Sequence, residues 1–368
     1  MYFIKNVGDY KLFLPTAKAL SGHYKSRKKL LAWNQEFLAK QPCRKLAGKI
    51  TGSFVYAHPP NYIGVNTLHF GVDEWKTELI RLKNYGMDTI IFQASVWNEL
   101  EECYYPSEEF KSYRCWNVIE PMLEAASELS LTVFLGGYGS VTCWMDKLNS
   151  SVIDSEIRRQ FNCFQELLRY RKFFDGFYFA SESAFTGVRD QKRETFLGTL
   201  YGKLFNKIKT IDPSVKIMMS PATFYHPKRK INAMVDAWNA MFSKASPDIL
   251  APQDSIGCNC ISLKHQDDAY RAWSEICRYN KIRLWANIEI FDCCEHVDLE
   301  RTRCTASTDR IIAQINNAAP YVEKMITWEA LYYGDSVHTQ QEDRSAQAGT
   351  NDYDEKRFIV EDQYGKLA

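Results

Sequence analysis

The chain has 368 residues, with 46 Lys and Arg against 45 Asp and Glu, for a formal net charge of +1. That balance excludes nucleic-acid binding by bulk charge, and a 45% hydrophobic share beside 25% charged residues excludes a disordered chain. No window approaches the roughly 18 unbroken apolar residues of a membrane helix, so neither nucleic acid nor membrane is an expected partner.

Residues 1–47 read as a polar, helical extension with an amphipathic stripe over 28–39, ending near Pro42. The opening segment lacks a basic stretch followed by an apolar run and a small-residue cleavage site. Eleven cysteines are scattered through the chain, which is the pattern of reduced thiols rather than of a disulfide framework. A cytoplasmic protein is therefore expected.

From Gly48 a rhythm begins. Apolar, β-branched or aromatic runs predict strands over 50–57, 88–94, 131–137, 175–182, 215–221, 248–252, 282–289 and 324–329. Helical patterns lie between them. Asp73 is placed to cap a helix carrying Trp75, Leu79 and Leu82 on one face, with Gly86 just past its end. Ile119, Met122, Leu123 and Ala126 repeat at helical spacing, as do Ile157, Phe161, Phe164 and Leu168. Phe196, Leu200, Leu204 and Ile208, then Ile311, Ile315 and Ala318, do the same. Eight βα units predict an α/β fold, a (β/α)8 TIM barrel over 48–333, with the helical extension before it and a polar tail over 334–368.

Such a barrel carries its site at the C-terminal ends of the strands. The polar and aromatic residues there are Tyr56, His58, Gln93, Trp97, Tyr138, Trp144, Glu182, Tyr225, His226, Gln253, Asp254, Asn287, Glu289, Trp328 and Glu329. Glu182 and Glu289 stand out because each ends an apolar strand, where a carboxylate is costly unless used or paired. Alternation puts Tyr178, Ala180 and Glu182 on one face, and Trp285, Asn287 and Glu289 on another. If both faces point inward, the two glutamates converge on one space. Glycoside hydrolysis needs such a pair, one carboxyl to protonate the leaving oxygen and one to attack or to activate water. An ion pair with a nearby Arg or Lys is the structural alternative for each. Glu329 neighbours Trp328, so alternation turns it toward the helix layer. The strand-end aromatics Trp97, Tyr138, Trp144 and Tyr56 suit the stacking of sugar rings, and equally suit packing. Asp254 is read as a sugar-hydroxyl ligand, as a group that orients a catalytic Glu, or as an Asx turn, and Tyr225 and His226 as site or solvent-facing loop.

Cys258 and Cys260 follow the sixth strand, and Cys293 and Cys294 the seventh. Four thiolates can hold zinc, but the spacing is not that of a zinc knuckle. No His-x-His after the first strand, no His-Glu-x-x-His and no phosphate-binding glycine loop is present, so no cofactor is expected.

Strand-end glutamates on the fourth and seventh strands resemble the large clan of retaining glycoside hydrolases with TIM barrels. The order of GlyLysIleThrGlySerPhe, AspGlyPheTyrPheAlaSerGlu, MetMetSerProAlaThrPhe, LeuAlaProGlnAspSerIleGly, TrpAlaAsnIleGluIlePhe and IleThrTrpGluAla also resembles a bacterial family of glycosidase-like barrels described as a domain of unknown function. The resemblance covers the whole barrel. It implies Glu182 as acid/base, Glu289 as nucleophile and Trp328 as the sugar platform. Ser181 stands where the clan carries Asn before the acid/base, which passes the 2-hydroxyl contact to Asn287 or Gln253. The expected function is hydrolysis of an oligosaccharide or glycoside, a carbohydrate being the expected substrate. A non-catalytic carbohydrate-binding barrel, or a lyase or isomerase using the same carboxylates, is the alternative.

Overall fold

The computed structural model describes residues 2–7, 10–15, 29–40, 46–57, 65–145, 148–185, 188–224, 231–293 and 303–334. Eight strands close into a barrel: β1 (Ile50–Val55), β2 (Thr89–Phe92), β3 (Thr132–Gly136), β4 (Gly176–Phe179), β5 (Lys216–Met219), β6 (Ile249–Leu250), β7 (Arg283–Glu289) and β8 (Lys324–Trp328). Each pairs in parallel with its neighbours in chain order, and β8 returns to β1. Each is followed by a helix: α1 (Val72–Asn84), α2 (Ile119–Glu128), α3 (Ser150–Leu167), α4 (Gln191–Ile211), α5 (Ile231–Phe242), α6 (Leu263–Asn280), α7 (Thr308–Ala318) and α8 (Ala330–Tyr333). The predicted TIM barrel is therefore the fold.

Two apolar layers follow from strand alternation. Phe54, Ile91, Phe134, Tyr178, Met218, Ile249, Trp285 and Ile326 fill the barrel interior. The alternate positions, among them Val55, Phe92, Phe177 and Ile288, pack against the helices with Trp75, Trp238 and Trp273. Both faces of each strand are thus buried, which is why these runs read as continuously apolar. The helix termini are locally encoded. Asn149 caps α3 by accepting from Val152 N at 3.0 Å, and Asp190 caps α4 by accepting from Arg193 N at 3.0 Å. At α1 the cap is Gly71, not Asp73; Glu74 reaches back to Gly71 N at 2.9 Å and Asp73 sits in the first turn. Gly86 takes the left-handed turn after α1 at φ 80°.

Among the described residues of 1–47 the helical reading holds over 29–39. Tyr2–Val7 and Tyr10–Pro15 instead form an antiparallel hairpin, since TyrPheIle and TyrLysLeuPheLeu are strand-forming runs without a helical stripe. The helix over 29–39 docks on the barrel, with Asn34 Oδ1 accepting from Leu263 N at 2.8 Å. The tail beyond Gly334 lies outside the described residues. Among the described residues no helix is long and apolar enough to cross a membrane.

Two excursions build the mouth of the barrel. Val96–Trp97, Glu102–Cys103, Arg114–Cys115 and Tyr138–Gly139 form a four-stranded sheet from the loops after β2 and β3. Phe291–Cys293 pairs with Arg303–Thr305 above β7.

Candidate active site

A cavity of about 240 Å³ opens at the C-terminal ends of the strands, where the barrel rule places it. Glu182 and Glu289 both line it, from opposite sides of the barrel. Tyr178 and Ala180 below Glu182, and Trp285 below the other glutamate, belong to the interior layer, so both faces point inward. Around the pair lie Tyr56, Gln93, Trp97, Trp144, Gln253, Asn287 and Trp328.

Each glutamate is held. Gln253 Nε2 donates to Glu182 Oε1 at 2.8 Å and to Ser220 O at 3.1 Å. Glu182 is half-buried, and its charge adds to the burial that pushes the Tyr178 phenol upward. Glu289 is 2% exposed and accepts from Cys258 N at 2.8 Å through Oε2. Its backbone is clamped as well. Glu289 N donates to Asp254 Oδ1 at 3.3 Å, and Glu289 O accepts from Gln314 Nε2 at 3.1 Å and Arg310 Nη2 at 3.2 Å. The clamp joins β7 to the loop after β6 and to α7, so the side chain at the end of β7 is aimed by groups outside the cavity.

Asp254 belongs to that clamp and not to the cavity wall. It is 2% exposed and its Oδ2 accepts from Gln314 Nε2 at 2.6 Å and Gln266 Nε2 at 3.2 Å. Burial, then the Glu289 charge, pushes its carboxyl up to about 7. Gln253 and Asp254 are neighbours, and alternation sends one inward and the other behind β7. Tyr138 is likewise not a wall. It is buried and stacked on Phe110 at 5.5 Å, and its hydroxyl joins Asn98 and Arg159. It stiffens the small sheet that carries Trp97. Ser181 turns away too, its hydroxyl donating to Glu156 Oε1 at 2.7 Å. Tyr225, His58 and His226 lie outside the described residues.

Glu329 is 1% exposed, is absent from the cavity wall, and has an oxygen without a partner among the described residues. Burial alone pushes it up to about 8. The Trp328–Glu329 peptide bond is cis. Trp328 forms the aromatic wall with Tyr56, whose hydroxyl accepts from Trp328 Nε1, and with Phe291 at 5.2 Å between centroids.

Sequence reasoning missed Glu99, Phe54 and Phe291 in the wall. Glu99 sits on the 3-10 turn Asn98–Leu100 in the loop after β2, off the strand ends that served as the filter. Burial raises its carboxyl above the ordinary range, against the opposing effect of N–H donors from Val141 and Asn98. Among the described residues no cluster of three or more His, Cys, Asp or Glu is placed to hold a metal. Cys258 and Cys260 are half-buried beside the end of β7; Cys294 and the Cys293 side chain lie outside the described residues.

A family model described as "Domain of unknown function (DUF4434)" matches residues 50–338. No curated protein matches the sequence. Among solved structures, a Bacteroides thetaiotaomicron VPI-5482 protein with a provisional alpha-L-fucosidase description is 18% identical, with TM-score 0.67 over 87% of this chain and 98% of its own. A GH113 beta-1,4-mannanase is 11% identical, with TM-score 0.51 over 87% and 99%. The exo-beta-1,4-mannosidase Op5Man5 of Opitutaceae bacterium strain TAV5 is 10% identical, with TM-score 0.50 over 87% and 60%. At these identities the likeness is one of fold.

Proposed function

The chain belongs to the DUF4434 family, and on that premise we propose that it is a glycoside hydrolase of the retaining kind. Glu182 protonates the leaving oxygen and Glu289 attacks the anomeric carbon. Water then resolves the glycosyl-enzyme with Glu182 as base. Trp328, Trp97, Trp144 and Tyr56 stack the sugar, and Asn287, Gln253 and Gln93 meet its hydroxyls. The observation that carries this reading is the convergence of Glu182 and Glu289 on one cavity walled by aromatic rings. Fold neighbours described as a fucosidase, a mannanase and a mannosidase support it.

The test is turnover of a panel of aryl glycosides by wild type, Glu182→Gln and Glu289→Gln, with the product anomer followed by NMR. Each variant is expected to lose about a hundredfold or more in kcat, with the first-formed product keeping the substrate's anomeric configuration. Wild-type turnover in both variants sinks the assignment, and first-formed inverted product sinks the nucleophilic role of Glu289. An unsaturated or isomerised product points to lyase or isomerase chemistry instead.

A further inference from the structure

We propose that Glu99 and Asn287 form an acceptor wall that selects the sugar by its hydroxyl or ammonium donors, so that the glycan taken is neutral or amino-bearing and not acidic. The inference rests on the glycosidase reading and adds the substrate class.

The hydrogen-bonding inventory of the cavity is lopsided. Glu99 Oε1 is held by Val141 N at 3.0 Å and Asn98 Nδ2 at 3.1 Å. Those two contacts orient the carboxyl and leave Oε2 without a partner among the described residues, on a side chain that lines the cavity. Asn287 Nδ2 is engaged by Ser220 Oγ at 3.1 Å, while its Oδ1 is buried without a partner. The buried Asn287 acceptor left unpaired is costly, and a ligand donor recovers that cost.

Three donors of the wall are meanwhile committed to the protein. Gln253 spends its amide on Glu182 and Ser220 O. Cys258 N serves Glu289, and Trp328 Nε1 serves Tyr56. Three glutamates, Glu99, Glu182 and Glu289, line the cavity, and none of its described lining residues is Lys, Arg or His. Glu289, the nucleophile that must stay ionised, would repel a sugar carboxylate, and no cation among the described lining residues is there to receive it. Hydroxyl and ammonium protons meet acceptors that are already oriented.

Calorimetry on wild type and Glu99→Gln tests this with three sets of probes. These are gluco-, manno- and fuco-configured 1-deoxynojirimycins, the parent neutral sugars, and glucuronate and galacturonate. Glu99→Gln keeps an oxygen for Val141 N and Asn98 and puts an N–H donor where Oε2 was. Wild type is expected to bind an iminosugar or a neutral sugar, with uronates about tenfold weaker or worse. The variant is expected to weaken the iminosugar about tenfold or more. Equal binding of a uronate, or a variant affinity within about twofold of wild type, overturns the inference and leaves the glycosidase reading standing. If no probe binds but an aryl glycoside is hydrolysed, an unchanged KM in the variant overturns it and a raised KM supports it. Neither binding nor hydrolysis by wild type overturns both readings. Should the variant fail to fold, the wild-type preference between sugars and uronates decides.

Discussion

Single residues in this barrel are sorted by which side of a strand they fall on. Trp328 lines the cavity while Glu329, the next residue, is sealed in protein. Glu329 yields a prediction independent of catalysis. Its carboxyl is pushed from an ordinary 4.5 to about 8, and that of Asp254 from 3.8 to about 7. The folded state therefore holds protons that the unfolded state has released, and the stability they supply is fully present below the ordinary carboxyl range. It is lost as pH rises toward 7 for Asp254 and 8 for Glu329. The thermal midpoint is expected to fall between pH 4.5 and 8.5, and Glu329→Gln, which is neutral throughout, to fall less steeply. Parallel curves for wild type and variant in differential scanning calorimetry would remove Glu329 from that account.

Elements carry the site through contacts made outside the cavity. Helix α3 is the clearest case. Its buried Glu156 accepts from Ser140 Oγ at 2.9 Å, Ser181 Oγ at 2.7 Å, Gln160 Nε2 at 2.8 Å and Thr142 Oγ1 at 2.9 Å. One carboxylate thereby ties α3 to the loop after β3 and to the residue preceding Glu182. Glu156→Ala leaves buried donors unpaired and is expected to cost about 2–4 kcal/mol in urea denaturation. It should also lower kcat more than it changes KM, because Glu182 loses its anchor while the sugar-facing wall stays. Glu156→Gln, which keeps an acceptor, should recover part of both. A loss confined to stability would make α3 a scaffold only. The small sheet at the mouth works in the same way for Trp97 and Glu99. It was invisible in the sequence because its strands are two residues long, too short for any alternation to register.

At the scale of the molecule the barrel is a closure problem, and one glycine shows how tight it is. A Cβ at Gly136 would lie 2.3 Å from both Phe92 O and Gln93 O. The obstacle is backbone in the paired strand β2, so it cannot rotate aside. Gly136→Ala is expected to destabilise by about 3 kcal/mol or more, read as a drop in thermal midpoint or loss of soluble protein. A midpoint within a degree or so of wild type would show that β2 and β3 can spread at that point.

The sequence by itself determined the eight strand positions, five of the helices and which residues share a strand face with Glu182 and with Glu289. All of these follow from local periodicity: an apolar strand buried on both faces is legible as a run, and its last inward residue as an outlier in charge. Alternation alone also turned Glu329 away. Only the tertiary structure separated Gln253 from Asp254 and withdrew Tyr138 into the small sheet. It also brought Glu99 into the wall from a loop and converted the opening hairpin from an expected helix. Those decisions depend on which chain segments meet across the barrel mouth. Loop residues have no period to follow, so their direction is set by partners such as Val141, Arg159 and Gln314 that lie far away in the chain.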